Sequence, residues 1–271
     1  MIILKQALIT LIAVTTCLAC ESSGDEMSEE TTGDADTSGD GDGDPTGDGD
    51  GDPAGDGDGD PGELICEDAL ILDLSLQEKV AEGAVSSTED GDDWLSSVDA
   101  SAGGTMAAAM NPWVYMRFGD AGLEKVEIDD YAALSSDAWD IAAKRFGIRA
   151  NSGNSGPGMV GVAAAAGSYA DVDVAPDPSS FAIEDFYTDD CVLIEDMSGL
   201  PGNPAYAMAN WWGYAGCVTT SNQVFVLSLP DDRMVKLTVE AYYAEGQAAC
   251  NENGTMGSGS AEMTWRWRFL E

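Results

Sequence analysis

The sequence predicts an all-β domain, a single body of antiparallel strands ending in a C-terminal meander and preceded by a disordered tether. Three observations predict it. Apolar and polar residues alternate with a period of two through the second half of the chain, as strands with one buried and one wet face require. Helical periodicity is weak throughout. The first 62 of the 271 residues form a leader and a low-complexity run that cannot build a core, which leaves residues 63–271 for one β-rich domain.

Residues 1–20 read MIILKQALITLIAVTTCLAC, with Lys5 near the start, an apolar run over 7–14 and small residues ahead of a cysteine. This is the pattern of a signal peptide over residues 1–19, too short to span a bilayer after processing. Cys17-Leu18-Ala19-Cys20 resembles a bacterial lipobox, with Cys17 where an aliphatic residue is usual, so Cys20 is the expected site of lipidation. Residues 20–62 are then a lipidated N-terminus and tether, in which an eight-residue unit recurs from Gly39 as GDGDGDPT, GDGDGDPA and GDGDGDPG. Almost no apolar side chain is available to offset the entropy of ordering it, and like charges extend it. A flexible coil of about 40 residues spans about 35 Å. Calcium binding by the alternating carboxylates is the sharper alternative, but the repeats lack a closing bidentate Glu and an apolar anchor for each turn.

Within the domain the best helical pattern covers residues 76–85, and Gly83 weakens it. Residues 113–118 and 139–149 are strand-like, and residues 160–166 follow the same pattern. Residues 223–229, a Pro230-Asp231-Asp232 turn, the alternation from Val235 to Tyr243, and Ala261, Met263, Trp265, Trp267 and Phe269 alternating with polar neighbours read as the antiparallel meander.

Fifty Asp and Glu stand against 11 Lys and Arg, for a net charge of −39. Sixteen of the acids fall within residues 21–62, leaving 34 against 10 bases in the domain itself. A field of that sign repels phosphate backbones and anionic lipid surfaces, so nucleic acid is excluded as a partner and the membrane is reached only through the N-terminal lipid. There is no histidine, which removes Ser-His-Asp and Cys-His nucleophilic sites, His-bearing zinc sites and bis-histidine haem sites. No nucleophile sits in an identifiable context and paired carboxylates are uninformative among so many acids, so no enzyme is expected.

Residues 137–161 read DAWDIAAKRFGIRANSGNSGPGMVG. Trp139, Asp140, Arg145, Phe146, Arg149, Asn151, Gly153, Ser155, Gly156 and Gly158 match, position by position, the signature of the HmuY family of haem-binding bacterial lipoproteins. The stretches Val98-Asp99-Ala100-Ser101, Trp113-x-Tyr115-x-x-Phe118 and Ser221-Asn222-x-Val224-Phe225, and the aromatic last strand, agree in order, so the resemblance covers about residues 94–271. For the motif itself the chemistry favours a scaffold: Asp140 beside Arg145 and Arg149 as a shielded ion pair, with the glycines in a tight loop. As a phosphate loop the glycines fail, since the order is G-x-x-G-x-G and no Lys follows.

The resemblance implies an HmuY-like β domain, on an outer-membrane lipoprotein facing the periplasm or the cell surface, that captures haem between β-loops and passes it to a receptor. The family's axial donors are two histidines in its best-described member and methionines in some relatives. No histidine carries over, and the second ligand position falls near Ala215 or Gly216, where no strong donor stands. Met197 and Met208 are the methionines of the region that replaces the ligand loops, and a thioether ligates haem iron, most comfortably when ferrous. Ordinary packing is the alternative for both, as it is for Tyr206 and Tyr214 as phenolate donors. Trp211, Trp212 and Tyr214 offer a stacking platform for haem, or for another apolar or planar ligand or a protein partner.

Four cysteines remain after processing: Cys66, Cys191, Cys217 and Cys250. Export implies an oxidising compartment and two disulfides. In an antiparallel meander the start of the strand at 223 and the end of its partner at 243 share one sheet edge, which favours Cys217 with Cys250 and leaves Cys66 for Cys191. Free buried thiols are the alternative.

Overall fold

The computed structural model describes residues 66–101 and 110–271, so the signal peptide, Cys20 and the repeats lie outside the described residues. The described chain is built of antiparallel strands with three short helices. Helix α1 (Glu67–Asp73) opens it, with Glu67 and Asp68 in the first turn, where carboxylates oppose the positive helix end, and with Leu70 buried. It stops where Ser75 takes a positive φ of 48°. The helix expected over residues 76–85 is absent and the chain there is irregular. Gly83 lies against the carbonyl of Asp99 with no room for a Cβ, and Val85 already pairs with Val98, so the segment is drawn out along a sheet edge instead of coiling.

A large sheet of six strands contains β1 (Val85–Asp90), β2 (Asp93–Asp99), β7 (Gly161–Ala165), β10 (Val224–Ser228), β11 (Met234–Glu245) and β12 (Ser258–Leu270), in the order β1-β2-β12-β11-β10-β7. The meander is present as β10, β11 and β12, with register shifts on either side of Ala241. Alternation along β12 buries Ala261, Met263, Trp265 and Trp267, and this face meets a smaller sheet. That sheet has four strands, β3 (Val114–Gly119), β4 (Gly122–Val126), β5 (Ile141–Lys144) and β6 (Gly147–Ala150), in the order β4-β3-β5-β6. Phe118 meets Trp267 edge to face at 4.9 Å, and at the sheet rims Leu123 N donates to Ser87 Oγ at 2.9 Å.

The small sheet is the middle layer. Val114, Met116 and Phe118 face the large sheet, while Trp113, Tyr115, Trp139 and Ala142 belong to a second core beneath α1 and the irregular residues 181–207. Burial on both faces explains why β3 is apolar almost without interruption. The stretch 139–149 is thus a hairpin rather than one strand: β5 and β6 pair Lys144 with Gly147 across an Arg145-Phe146 turn. A short helix, α2 (Asp130–Ala133), precedes it, and Asp129 Oδ1 caps that helix by accepting from Ala132 N.

Both disulfides are formed. Cys66 joins Cys191, tying α1 to the irregular layer, and Cys217 joins Cys250, tying the two-stranded hairpin β8 (Trp212–Tyr214) and β9 (Val218–Thr220) to α3 (Gln247–Asn253). No helix among the described residues is long and apolar enough to cross a membrane. Loop-closure entropy makes the first bridge, which spans 125 positions, worth about 5 kcal/mol. Replacing Cys66 and Cys191 together by Ser should therefore lower the thermal midpoint by several degrees, while replacing Cys217 and Cys250 costs less. Non-reducing peptide mapping that joins Cys66 to Cys217 would overturn the pairing.

Candidate functional site

The motif residues fold inward. Arg149, on β6, is fully buried; its guanidinium carbon lies 4.7, 5.4 and 5.3 Å from the ring centres of Trp113, Tyr115 and Trp139. One Nη donates to the Tyr115 hydroxyl and the other to Ser155 O at 3.4 Å. Tyr115 in turn hydrogen-bonds the buried carboxylate of Asp130, which also accepts from Trp113 N at 2.9 Å and Gln77 N at 2.8 Å. Burial raises the Asp130 carboxyl and the Tyr115 phenol above their ordinary values, and the Arg149 charge opposes both shifts.

The expected ion pair of Asp140 with Arg145 and Arg149 is absent. Asp140 accepts from Phe118 N at 2.9 Å, and the cations acting on it are Arg117 and Arg233. It sits one position before β5, whereas Arg145 occupies the turn and Arg149 points into the second core, so sequence proximity across a hairpin misled. Arg145 holds a positive φ of 54° at the first turn position, a region glycine favours; its N–H donates to Ala100 O at 2.8 Å and its guanidinium lies over Phe146 at 5.1 Å.

Asn151 organises the glycine loop. Its amide donates to Ser136 O at 2.9 Å and Trp139 O at 2.8 Å, and its Oδ1 accepts from Gly158 N at 3.0 Å. A side chain at Gly156 or Gly158 would strike Asn151, and Gly153, at φ 49°, presses on the backbone of Glu184. The loop docks residues 184–187: Asn154 N donates to Glu184 O at 2.9 Å, and Asn154 Oδ1 accepts from Phe186 N at 2.7 Å. Glu184 then bridges outward, accepting from Ala150 N at 2.7 Å and from Ala207 N at 2.9 Å. Burial pushes its carboxyl up to about 7. Sequence reading missed Glu184, which nothing marks among so many acids except its apolar surroundings, Phe181, Ile183, Phe186 and Tyr187.

Beyond Glu184 lie the expected ligand residues, and the structure separates them. Met208, Trp211 and Trp212 are buried in the main core, Trp212 stacked on Phe146 at 4.4 Å, so they form no open platform. Met197 is 97% exposed and Tyr214 is 44% exposed. These two come from neighbouring backbones, for Tyr214 N donates to Ser198 O at 3.0 Å. The loop bearing Met197 is closed at its base: Asp196 N donates to Asn203 O at 2.8 Å and the Asn203 amide donates back to the Asp196 carboxylate. Tyr206 is buried against Trp113 and Phe186, which leaves it no role as an exposed donor. Beside this loop, a cleft of about 160 Å³ lies between the end of α1, the β5–β6 turn and residues 202–206, lined by Trp113, Lys144, Arg145, Phe146, Asn203 and Tyr206.

Met197 and Tyr214 thus stand exposed on neighbouring backbones, with the small cleft beside the Met197 loop. The chain belongs to the HmuY family, a family of binding proteins, which matches residues 109–253. No curated protein matches it. Among solved structures it resembles a candidate lipoprotein from Bacteroides fragilis (16% identity, 70% of this chain and 94% of that one, TM-score 0.41). It also resembles a candidate HmuY-like haem-binding protein from Bacteroides vulgatus (18%, 70% and 97%, 0.41) and the apo form of an HmuY analogue from Tannerella forsythia (15%, 72% and 100%, 0.38).

Removing the enclosed guanidinium with Arg149→Met should cost about 3 kcal/mol, and Asp140→Asn, which keeps an acceptor for Phe118 N, about 1 kcal/mol. In a double-mutant cycle the two should add within about 0.5 kcal/mol, and strong coupling would restore the ion pair rejected above. A Glu184 carboxyl raised above its unfolded value of 4.5 favours the protonated fold, so its contribution is present below about pH 4.5 and lost as pH rises through about 7. Denaturation at pH 5 and pH 8 should show the wild type losing up to about 3 kcal/mol more than Glu184→Gln; equal losses would exclude Glu184 as the cause.

Proposed function

We propose that this is an exported, lipid-anchored capture protein that takes haem, or a related flat tetrapyrrole, at the loop end carrying Met197 and Tyr214, without histidine ligation. Met197 carries the reading. Five of the twelve exposed large apolar side chains among the described residues fall within residues 183–214, and Met197 is the most exposed of them. Family membership supports the same ligand class, and a relative described as HmuY-like and haem-binding is in keeping with it. In this reading Cys20 holds the lipid and residues 20–62 space the domain from an envelope membrane, where a receptor takes the ligand onward.

The donor set fits one axial position better than two. Met197 offers its thioether in water, Tyr214 offers a phenol from the neighbouring backbone, and Met208 is enclosed by core side chains that would have to part before its sulfur met a ligand. Bound haem supplies a flat apolar body and an iron with an affinity for soft donors, most strongly when ferrous. The chain supplies the rest, the loop held at its base by Asp196 and Asn203 and Phe146 lining the cleft beside it.

Haemin titrated into the purified protein should shift and sharpen the Soret band with saturation at one equivalent, more clearly after reduction. Met197→Ala should weaken binding by about ten-fold, or about 1.4 kcal/mol, with the thermal midpoint unchanged. An unchanged spectrum would reject haem and favour a flat ligand without iron, or a protein partner, on the same surface.

A further inference from the structure

Five of the ten basic residues of the domain hold a carboxylate, and five, Lys79 and Arg117 among them, form no such pair among the described residues. Lys125, Arg233, Lys236, Arg266 and Arg268 each pair with a carboxylate at between 2.6 and 3.6 Å. Lys144, Arg145 and Arg149, all on the β5–β6 hairpin, form no such pair among the described residues, although the domain holds 34 acids against 10 bases. Arg149 is enclosed by aromatic rings, and Asp130 and Glu184 act on it from a distance. Lys144 and Arg145 instead line the cleft beside the Met197 loop.

The cleft offers donors between aromatic walls. Lys144 Nζ donates to Leu74 O at 3.1 Å and Ser75 O at 3.2 Å, which leaves the third ammonium hydrogen unused. The guanidinium of Arg145 hydrogen-bonds the Tyr242 side chain, but its Nε–H and the indole Nε1–H of Trp113 are buried without hydrogen-bond partners, and a buried donor left so costs free energy that a ligand acceptor recovers. The acid on the rim, Asp73, accepts from the Tyr187 hydroxyl at 3.0 Å. Arg145 also keeps a long side chain at a turn position where glycine would be unstrained.

We propose that this cleft is a carboxylate seat, in which Lys144 and Arg145 hold the acid group of a ligand whose flat apolar body lies against Phe146 and Trp113. At about 160 Å³ it is well short of the roughly 300 Å³ at which pockets enclose a whole drug-sized ligand, so it takes an acid-bearing arm and leaves the body outside. The acid belongs either to a tetrapyrrole propionate, for which the inference rests on the haem reading above, or to a free aromatic acid, for which it does not.

The test uses the full chain with four probes: haemin, haemin dimethyl ester, 3-phenylpropionate and 3-phenylpropionamide. Haemin should bind at least ten-fold more tightly than its ester, and Arg145→Gly, in which relief of the turn offsets the lost contacts with Phe146 and Tyr242 so that the fold is retained, should reduce that ratio below three-fold, as should Lys144→Gln. Equal binding of haemin and ester would overturn the seat and leave the haem reading standing. Should neither porphyrin bind, a saturable shift of the Trp113 indole N–H resonance with 3-phenylpropionate but not its amide supports the seat for free acids and rejects haem. No shift with either would reject both.

Discussion

The guanidinium of Arg149 lies wholly out of water in a sheet that is itself the middle layer of the domain. An isolated cation there would cost several kcal/mol. The faces of Trp113, Tyr115 and Trp139, the buried Asp130 and, when it is ionised, Glu184 offset that cost. Much of the surrounding structure follows from enclosing this charge. Helix α2 delivers Asp130 to the backbone of Trp113 and Gln77, Trp139 is anchored by its indole nitrogen to Ala133 O at 3.1 Å, and the glycine loop closes around Asn151.

The same enclosure reaches the Met197 loop through Glu184. Its two oxygens join the last residue of β6 to Ala207, one position before Met208. Residues 184–187 are fixed from the other side by Asn154. The loop bearing Met197 is thereby hung between a rigid polar core and the disulfide-tied β8–β9 hairpin, with its tip left in water. A loop on a rigid base retains adaptability at its tip and would lose less entropy on capturing a ligand than one that is loose throughout.

The strands were legible because burial imposes a period of two. Residues 261–269 alternate strictly, and the registers of β10, β11 and β12 follow that alternation. The disulfides were legible for the same reason, since an antiparallel meander fixes which ends lie together. The charges of the motif were not. Asp140, Arg145 and Arg149 are close in sequence, but the hairpin turn sends them to different places, and one-dimensional spacing carries no sign of a turn whose first residue is a non-glycine at positive φ. Helix α1 was missed because seven residues hold too few turns to show a period, and the pattern seen over residues 76–85 was that of an edge segment. Burial of Met208 beside exposure of Met197 depends on which loop the second core covers, and composition is silent on that.

Native-state hydrogen exchange tests most directly the claim that one buried polar core holds the Met197 loop in place. The amides of Ala150 and Ala207, both bonded to Glu184, should exchange as slowly as those of β11, through global unfolding, while amides at the tip over residues 197–202 exchange orders of magnitude faster. An Ala207 amide exchanging at the rate of the tip would show that the loop layer opens independently of the Arg149 core, and the account would fail.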